Sequence, residues 1–216
     1  MKKEKVVYLI LSKTNTHLGN LICWVTNYRF NHSSLALCED LSEFYSFGRM
    51  VKDQFLVGGF IVENPGRYLA NNKDITIRVY KIKLTREEYK KIRRLLDYFI
   101  ANKEVMIYNS FGAVTSLFRK KIKVKNAYTC CEFAQNLLGQ ADIYSIREFA
   151  GLYAGQLIYE GSYRDYLGLT ADAIVEPDED YENKSSLFDY INGTYNHFST
   201  LLRRLEPDNS QTGSDA

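Results

Sequence analysis

The ten residues Ile75-Thr76-Ile77-Arg78-Val79-Tyr80-Lys81-Ile82-Lys83-Leu84 alternate apolar and polar side chains along their length. That is the period of a half-buried β-strand, and a strand of this kind must be covered. The next residues offer a cover. Thr85 and Glu88 have capping-box spacing. They open a helix whose apolar stripe runs through Tyr89, Ile92, Leu95, Leu96, Phe99 and Ile100, ending near Asn102. Its Lys and Arg residues lie off that stripe and read as a solvated face.

Around this pair the order is hairpins first, helices later. Val6–Leu11 reads as a first strand and Leu18–Thr26 as a short helix. His32–Cys38 reads as a strand, and Glu43–Phe47 as its hairpin partner after the turn Glu39–Ser42. Gly58-Gly59 suggests a bend or a close backbone approach. Tyr108–Gly112 is expected to be a loop or short turn, and Arg119–Lys125 a basic loop rim or hairpin. A helix is expected over Ile146–Leu157, ended by Tyr159-Glu160-Gly161, then a short strand over Tyr163–Leu167. Leu187–Leu205 reads as an amphipathic helix broken or bent near Gly193. Residues 206–216 are polar and expected to be disordered. This pattern predicts an α+β domain with an antiparallel sheet packed against helices, rather than a doubly wound sheet. A single domain is expected over 1–205, with a helical C-terminal extension from about 144.

Net charge is +2, too small to argue for nucleic acid or an anionic membrane. The apolar run at Val6–Leu11 is too short to span a bilayer, which predicts no stable membrane insertion and a cytoplasmic protein. The cysteines are Cys23, Cys38, Cys130 and Cys131, without a CxxC pair or a metal-ligand spacing. No metal and no cofactor is expected.

Chemistry concentrates at Thr129-Cys130-Cys131-Glu132-Phe133. Thr129 and Glu132 form a second capping box, and Phe133, Leu137 and Leu138 mark the buried face of the helix that Gly139 stops. A thiol in the first turn sits among unpaired N–H groups at the positive end of the dipole, which favours the thiolate. The plain alternative is a buried cysteine acting as a small hydrophobe. A base for the thiol is sought among three histidines. His32 stands between a polar loop and an apolar strand, where a sheet rim can present it to a cleft. His17 lies in a polar stretch and His197 on the last helix, where packing or solvent explains it.

Phe30-Asn31-His32-Ser33-Ser34, Tyr45-Ser46-Phe47-Gly48-Arg49, Gly58-Gly59-Phe60-Ile61-Val62-Glu63 and Cys130-Cys131-Glu132-Phe133-Ala134 resemble the permuted papain-like amidases of the YaeF/YiiX type. These are relatives of the NlpC-type cysteine peptidases, in which the histidine strand precedes the cysteine helix. The resemblance ends near Ile143. It implies a circularly permuted papain-like (NlpC-like) fold, Cys130 as nucleophile and His32 as base. Cys131 stands where the family commonly has serine; helix phase favours Cys130. For the group that orients the imidazole, Ser46 is the choice, with Glu43 and Glu63 as alternatives. The implied activity is that of a cysteine hydrolase (amidase or peptidase) or acyltransferase on an amide or ester. Its partner would be a small-molecule, lipid or peptide substrate. The competing expectation is an inactive binding module on the same fold.

Overall fold

The computed structural model of the chain describes residues 4–14, 20, 23–24, 26–54, 57–183 and 185–205. His17, most of the helix expected over 18–26 and the tail expected at 206–216 lie outside the described residues.

The apolar run near the N-terminus becomes β1 (Lys5–Ser12). It is continuously apolar because it is buried on both faces. Val7, Leu9 and Leu11 enter one core, while Tyr8 and Ile10 enter the other. The remaining strands are β2 (His32–Ala36), β3 (Phe44–Arg49), β4 (Gly58–Glu63), β5 (Thr76–Leu84), β6 (Ile107–Tyr108), β7 (Ala127–Tyr128) and β8 (Leu157–Ser162). Among the described residues they form one sheet in the order β7-β6-β4-β3-β2-β1-β5-β8. Every pairing is antiparallel except β6 with β7. The architecture is α+β, with helices packed on a mostly antiparallel sheet.

The helices are α1 (Gly66–Leu69), α2 (Arg86–Ala101), α3 (Ser110–Ser116), α4 (Cys130–Leu137), α5 (Ile146–Leu152), α6 (Tyr163–Tyr166), α7 (Glu179–Glu182) and α8 (Leu187–Arg203). Both expected capping boxes close, at Thr85/Glu88 and Thr129/Glu132. The larger core lies between the sheet and helices α2, α4 and α5. There Phe47, Phe60, Phe99 and Phe133 pack with centroids 5.1–5.8 Å apart. The smaller core, on the other side, holds Ile10, Phe44, Leu69, Ile77, Val79 and Tyr163. Strand β5 serves both. Ile77 and Val79 join the smaller core, Tyr80 and Ile82 the larger, so its alternation changes phase at Val79–Tyr80. A register shift against β8 falls between the same two residues.

The Gly58-Gly59 pair is a close approach. A Cβ at Gly58 would stand 2.4 Å from the Gly48 carbonyl oxygen, and one at Gly59 2.5 Å from that of Met106. Several local expectations are corrected. Tyr159-Glu160-Gly161 lies in edge strand β8, paired with β5, so the region beyond 144 is not purely helical. Tyr163–Leu167 is not a strand. Ser162 caps a short helix there, and the Tyr163 hydroxyl donates to the Leu41 carbonyl at 2.7 Å. The segment after Tyr108 forms helix α3, capped by Asn109, where a loop was expected. Helix α8 runs unbroken through Gly193, which faces Gln54 and Val57. No helix among the described residues is long and apolar enough to cross a membrane.

Candidate active site

Cys130 is the first residue of α4, immediately after the Thr129 cap. The Glu132 N–H donates to Thr129 Oγ1 at 3.0 Å, and the Thr129 N–H donates to Glu132 Oε2 at 2.7 Å. The N–H groups of Cys130 and Cys131 come first in the helix and have no intrahelical carbonyl to bind. Phe133, Ala134 and Leu137 seat the helix in the larger core, which sets the position of its first turn. Thr129→Ala is expected to cost about 1 kcal/mol in urea unfolding, since it opens this cap.

His32 begins β2, a strand against which α4 packs. Just before it, Asn31 is buried and clamps Thr14. Asn31 Oδ1 accepts from Thr14 N and Oγ1 at 2.9 and 2.8 Å, and its Nδ2 donates to the Thr14 carbonyl at 2.8 Å. This fixes the chain entering β2. The His32 imidazole and the Ser33 N–H lie close enough to the Cys130 sulfur to act on its charge. His32 Nε2 lies 3.0 Å from Glu63 Oε1, leaving Nδ1 as the nitrogen for the thiol.

The imidazole's carboxylate partner is therefore Glu63 at the end of β4. Ser46, the expected orienting residue, makes no bond to the ring. Its hydroxyl is buried beside Glu63 and contributes least to lowering that carboxyl's pKa, without a hydrogen bond of good geometry. The physical reason is reach. Strand β3 lies between β2 and β4, and on this side it carries Ser46 and Gly48. The long Glu63 side chain extends across these small residues. A Cβ at Gly48 would already be 3.6 Å from His32 Cε1 and 3.0 Å from Ile61 Cδ1. Glu43 is exposed and accepts from the Tyr45 hydroxyl, away from the imidazole.

Glu63 is fully buried and held on both oxygens. Ser34 Oγ donates to Oε1 at 2.8 Å; the Tyr68 hydroxyl donates to Oε2, with Arg67 Nε 3.9 Å away. Asn31 and Ser34 lie in a stretch that carries the resemblance, though without a role read for either, and nothing in the sequence pointed to Arg67 or Tyr68. One signal for Glu63 was available, because Ile61 and Glu63 share a strand face and Ile61 is apolar.

The electrostatics favour charge separation. Burial alone would lower the His32 pKa, but the Glu63 carboxylate and the nearby Cys130 sulfur overcome it and raise the value to about 10. Burial alone would raise the Glu63 pKa; charged His32, Arg67 and Ser46 bring it down to about 2. Cys130 is held well below an ordinary thiol. The Cys131 S–H acts most, then, against burial, His32 and the Ser33 N–H. Cys131 moves the opposite way, raised first by its bond to Cys130 and then by burial. These opposite directions favour the thiolate on Cys130 over one on Cys131.

Both cysteines line a cleft of about 480 Å³, counted out to open solvent. Its walls include Phe30, Tyr108, Leu117, Tyr144, Ile146 and Arg147. His197 lies elsewhere, buried on α8 with Nε2 3.3 Å from Ser110 Oγ. Among the described residues no group of three or more His, Cys, Asp or Glu is arranged to hold a metal ion. What the arrangement can do chemically is present a thiolate, backed by a buried imidazolium–carboxylate pair, to a partly apolar cleft. In comparisons with known proteins the chain matches no family model, no curated protein and no solved structure.

Proposed function

We propose that this chain is a cysteine hydrolase or acyltransferase working through an acyl-enzyme, on a circularly permuted papain-like scaffold. One observation carries the reading: Cys130 at a capped helix start, with its charge coupled to a His32 imidazole that is hydrogen-bonded to buried Glu63. The order of histidine strand before cysteine helix also agrees with the permuted arrangement.

The resting pair is thiolate and imidazolium. The Cys130 sulfur attacks the carbonyl carbon of an amide or ester, and the carbonyl π-electrons move onto oxygen. The N–H groups of Cys130 and Cys131 are the available donors for that oxyanion. The tetrahedral intermediate collapses as His32 Nδ1 gives its proton to the leaving amine or alkoxide. Water or an acceptor then attacks the thioester, His32 takes its proton, and the thiolate departs. Glu63 keeps the ring oriented and stabilises its positive form throughout. Free thiols in such a site suit a reducing compartment such as the cytoplasm.

The test is alkylation by iodoacetamide as a function of pH, with modified cysteines identified by peptide mapping. Cys130 in the wild-type protein should alkylate at pH 5–6, where an ordinary thiol with pKa near 8.5 is almost wholly protonated. Cys130→Ala should lose this low-pH reaction. Equal labelling of the two proteins at low pH would leave only a binding module.

A further inference from the structure

The cleft beside Cys130 has an uneven chemistry. Phe30, Ala113, Leu117 and Ile146 make it apolar, and Tyr108 and Tyr144 add aromatic walls. Thr26, Asn31, Ser116, Thr129 and Ser145 add neutral polar groups. Among the described residues the lining holds, besides the Cys130 thiolate, one charged side chain, Arg147, and no carboxylate.

Other basic groups stand nearby, already engaged by acids. Arg119 and Lys121 both lie over the Tyr144 ring at 4.7 Å from its centroid. Each has an acid of its own: Arg119 pairs with Glu148 at 2.6 Å, and Lys121 stands 3.9 Å from Asp142. On another side Arg29 and Arg78 share the single carboxylate of Glu160, at 3.0 and 2.6 Å. Arg78 also donates to the Tyr28 hydroxyl, and the positive field of Arg147 reaches that same phenol. Arg147 itself is exposed, in the first turn of α5, and forms no ion pair within 4 Å among the described residues.

We infer that the cleft takes acyl groups carrying a second, terminal carboxylate, which Arg147 binds while the apolar portion lies against Phe30, Leu117 and Ile146. This rests on the proposed role of Cys130 and adds a substrate class to it. A guanidinium offers paired N–H donors that match a carboxylate, and here no ion pair among the described residues competes for them. An acyl group with a neutral end would leave the guanidinium to solvent and gain nothing from it.

Two chloroacetamides of equal length test this without requiring turnover, one ending in a carboxylate and the other in the methyl amide. The readout is the ratio of their inactivation rates at Cys130 in the full chain, followed by mass spectrometry of the labelled peptide. In the wild-type protein at low salt the carboxylate probe should react about three- to tenfold faster, as expected for a partly exposed charge pair. Arg147→Ala should bring the ratio near one, Arg147→Lys should restore part of it, and Arg147→Glu should invert it. Raising the salt should reduce the wild-type ratio. A ratio near one in the wild-type protein, or one unchanged by Arg147→Ala, overturns the inference. Failure of the underlying reading looks different: Cys130→Ala would then take up both probes as fast as wild type.

Discussion

Glu63→Ala is expected to destabilise the protein by about 3–5 kcal/mol near pH 5.5, the cost typical of breaking a buried ion pair from one side. The carboxylate is fully buried, and its removal strands the His32 imidazolium together with the hydroxyls of Ser34 and Tyr68. The pH dependence identifies the cause. The folded-state pKa of Glu63 is lowered from 4.5 to about 2. Its contribution is therefore present above pH 4.5 and lost as pH falls toward 2. The folded-state pKa of His32 is raised from 6.5 to about 10. Its contribution is complete below pH 6.5 and lost as pH rises toward 10. The stability difference between wild type and variant should be widest between pH 4.5 and 6.5 and narrow on both sides. Urea unfolding across pH 3–9 measures it. A difference that does not vary with pH would mean that Glu63 contributes packing alone. Glu63→Gln keeps the shape and some of the hydrogen bonds but removes the charge, so it should recover part of the stability without the pH profile.

The second large effect is on the thiol. His32→Ala removes a neighbouring positive charge that favours the Cys130 thiolate, while burial continues to oppose it. The S–H of Cys131 and the N–H of Ser33 remain, so the pKa should rise without reaching the value of a buried, unassisted thiol. The alkylation rate at pH 6 should fall, by about tenfold for each pH unit that the raised pKa stands above 6. Reaction at pH 9 and above should be largely restored, which separates loss of the base from loss of the fold. The fold is expected to survive because Glu63 keeps Ser34, Tyr68 and Arg67 as partners. An unchanged rate at pH 6 would show that the imidazole does not activate Cys130.

What could be read in the sequence was what local chemistry decides. The capped helix start at Thr129 needs only four residues, and the strand beginning at His32 needs only its flanking loop and apolar run. The stretches misread were those whose conformation is decided by distant partners. Leu157–Ser162 is largely outward-facing and becomes a strand because β5 offers it an edge. Gly193 could have broken α8, but it is packed against Gln54 and Val57 in a continuous helix. The choice between Ser46 and Glu63 likewise depends on which side chain crosses β3 to the imidazole. Adjacent strands are about 4.8 Å apart, so spanning the intervening one requires length. A serine in a recognisable motif was the nearer residue in sequence and the shorter side chain in space.

The sheet order places β2 inside the sheet and brings Cys130 in directly after β7 at its edge. Roughly a hundred residues of chain separate the imidazole from the thiol, and closing so long a loop depends on most of the intervening strands being paired. A nascent or partly folded chain would therefore carry two ordinary, mostly protonated cysteines. On the proposed reading Cys130 becomes an activated thiol only once these long-range contacts have formed. That makes the low-pH alkylation of Cys130 a clock for complete folding, one that starts only when His32, Glu63 and the helix start have met.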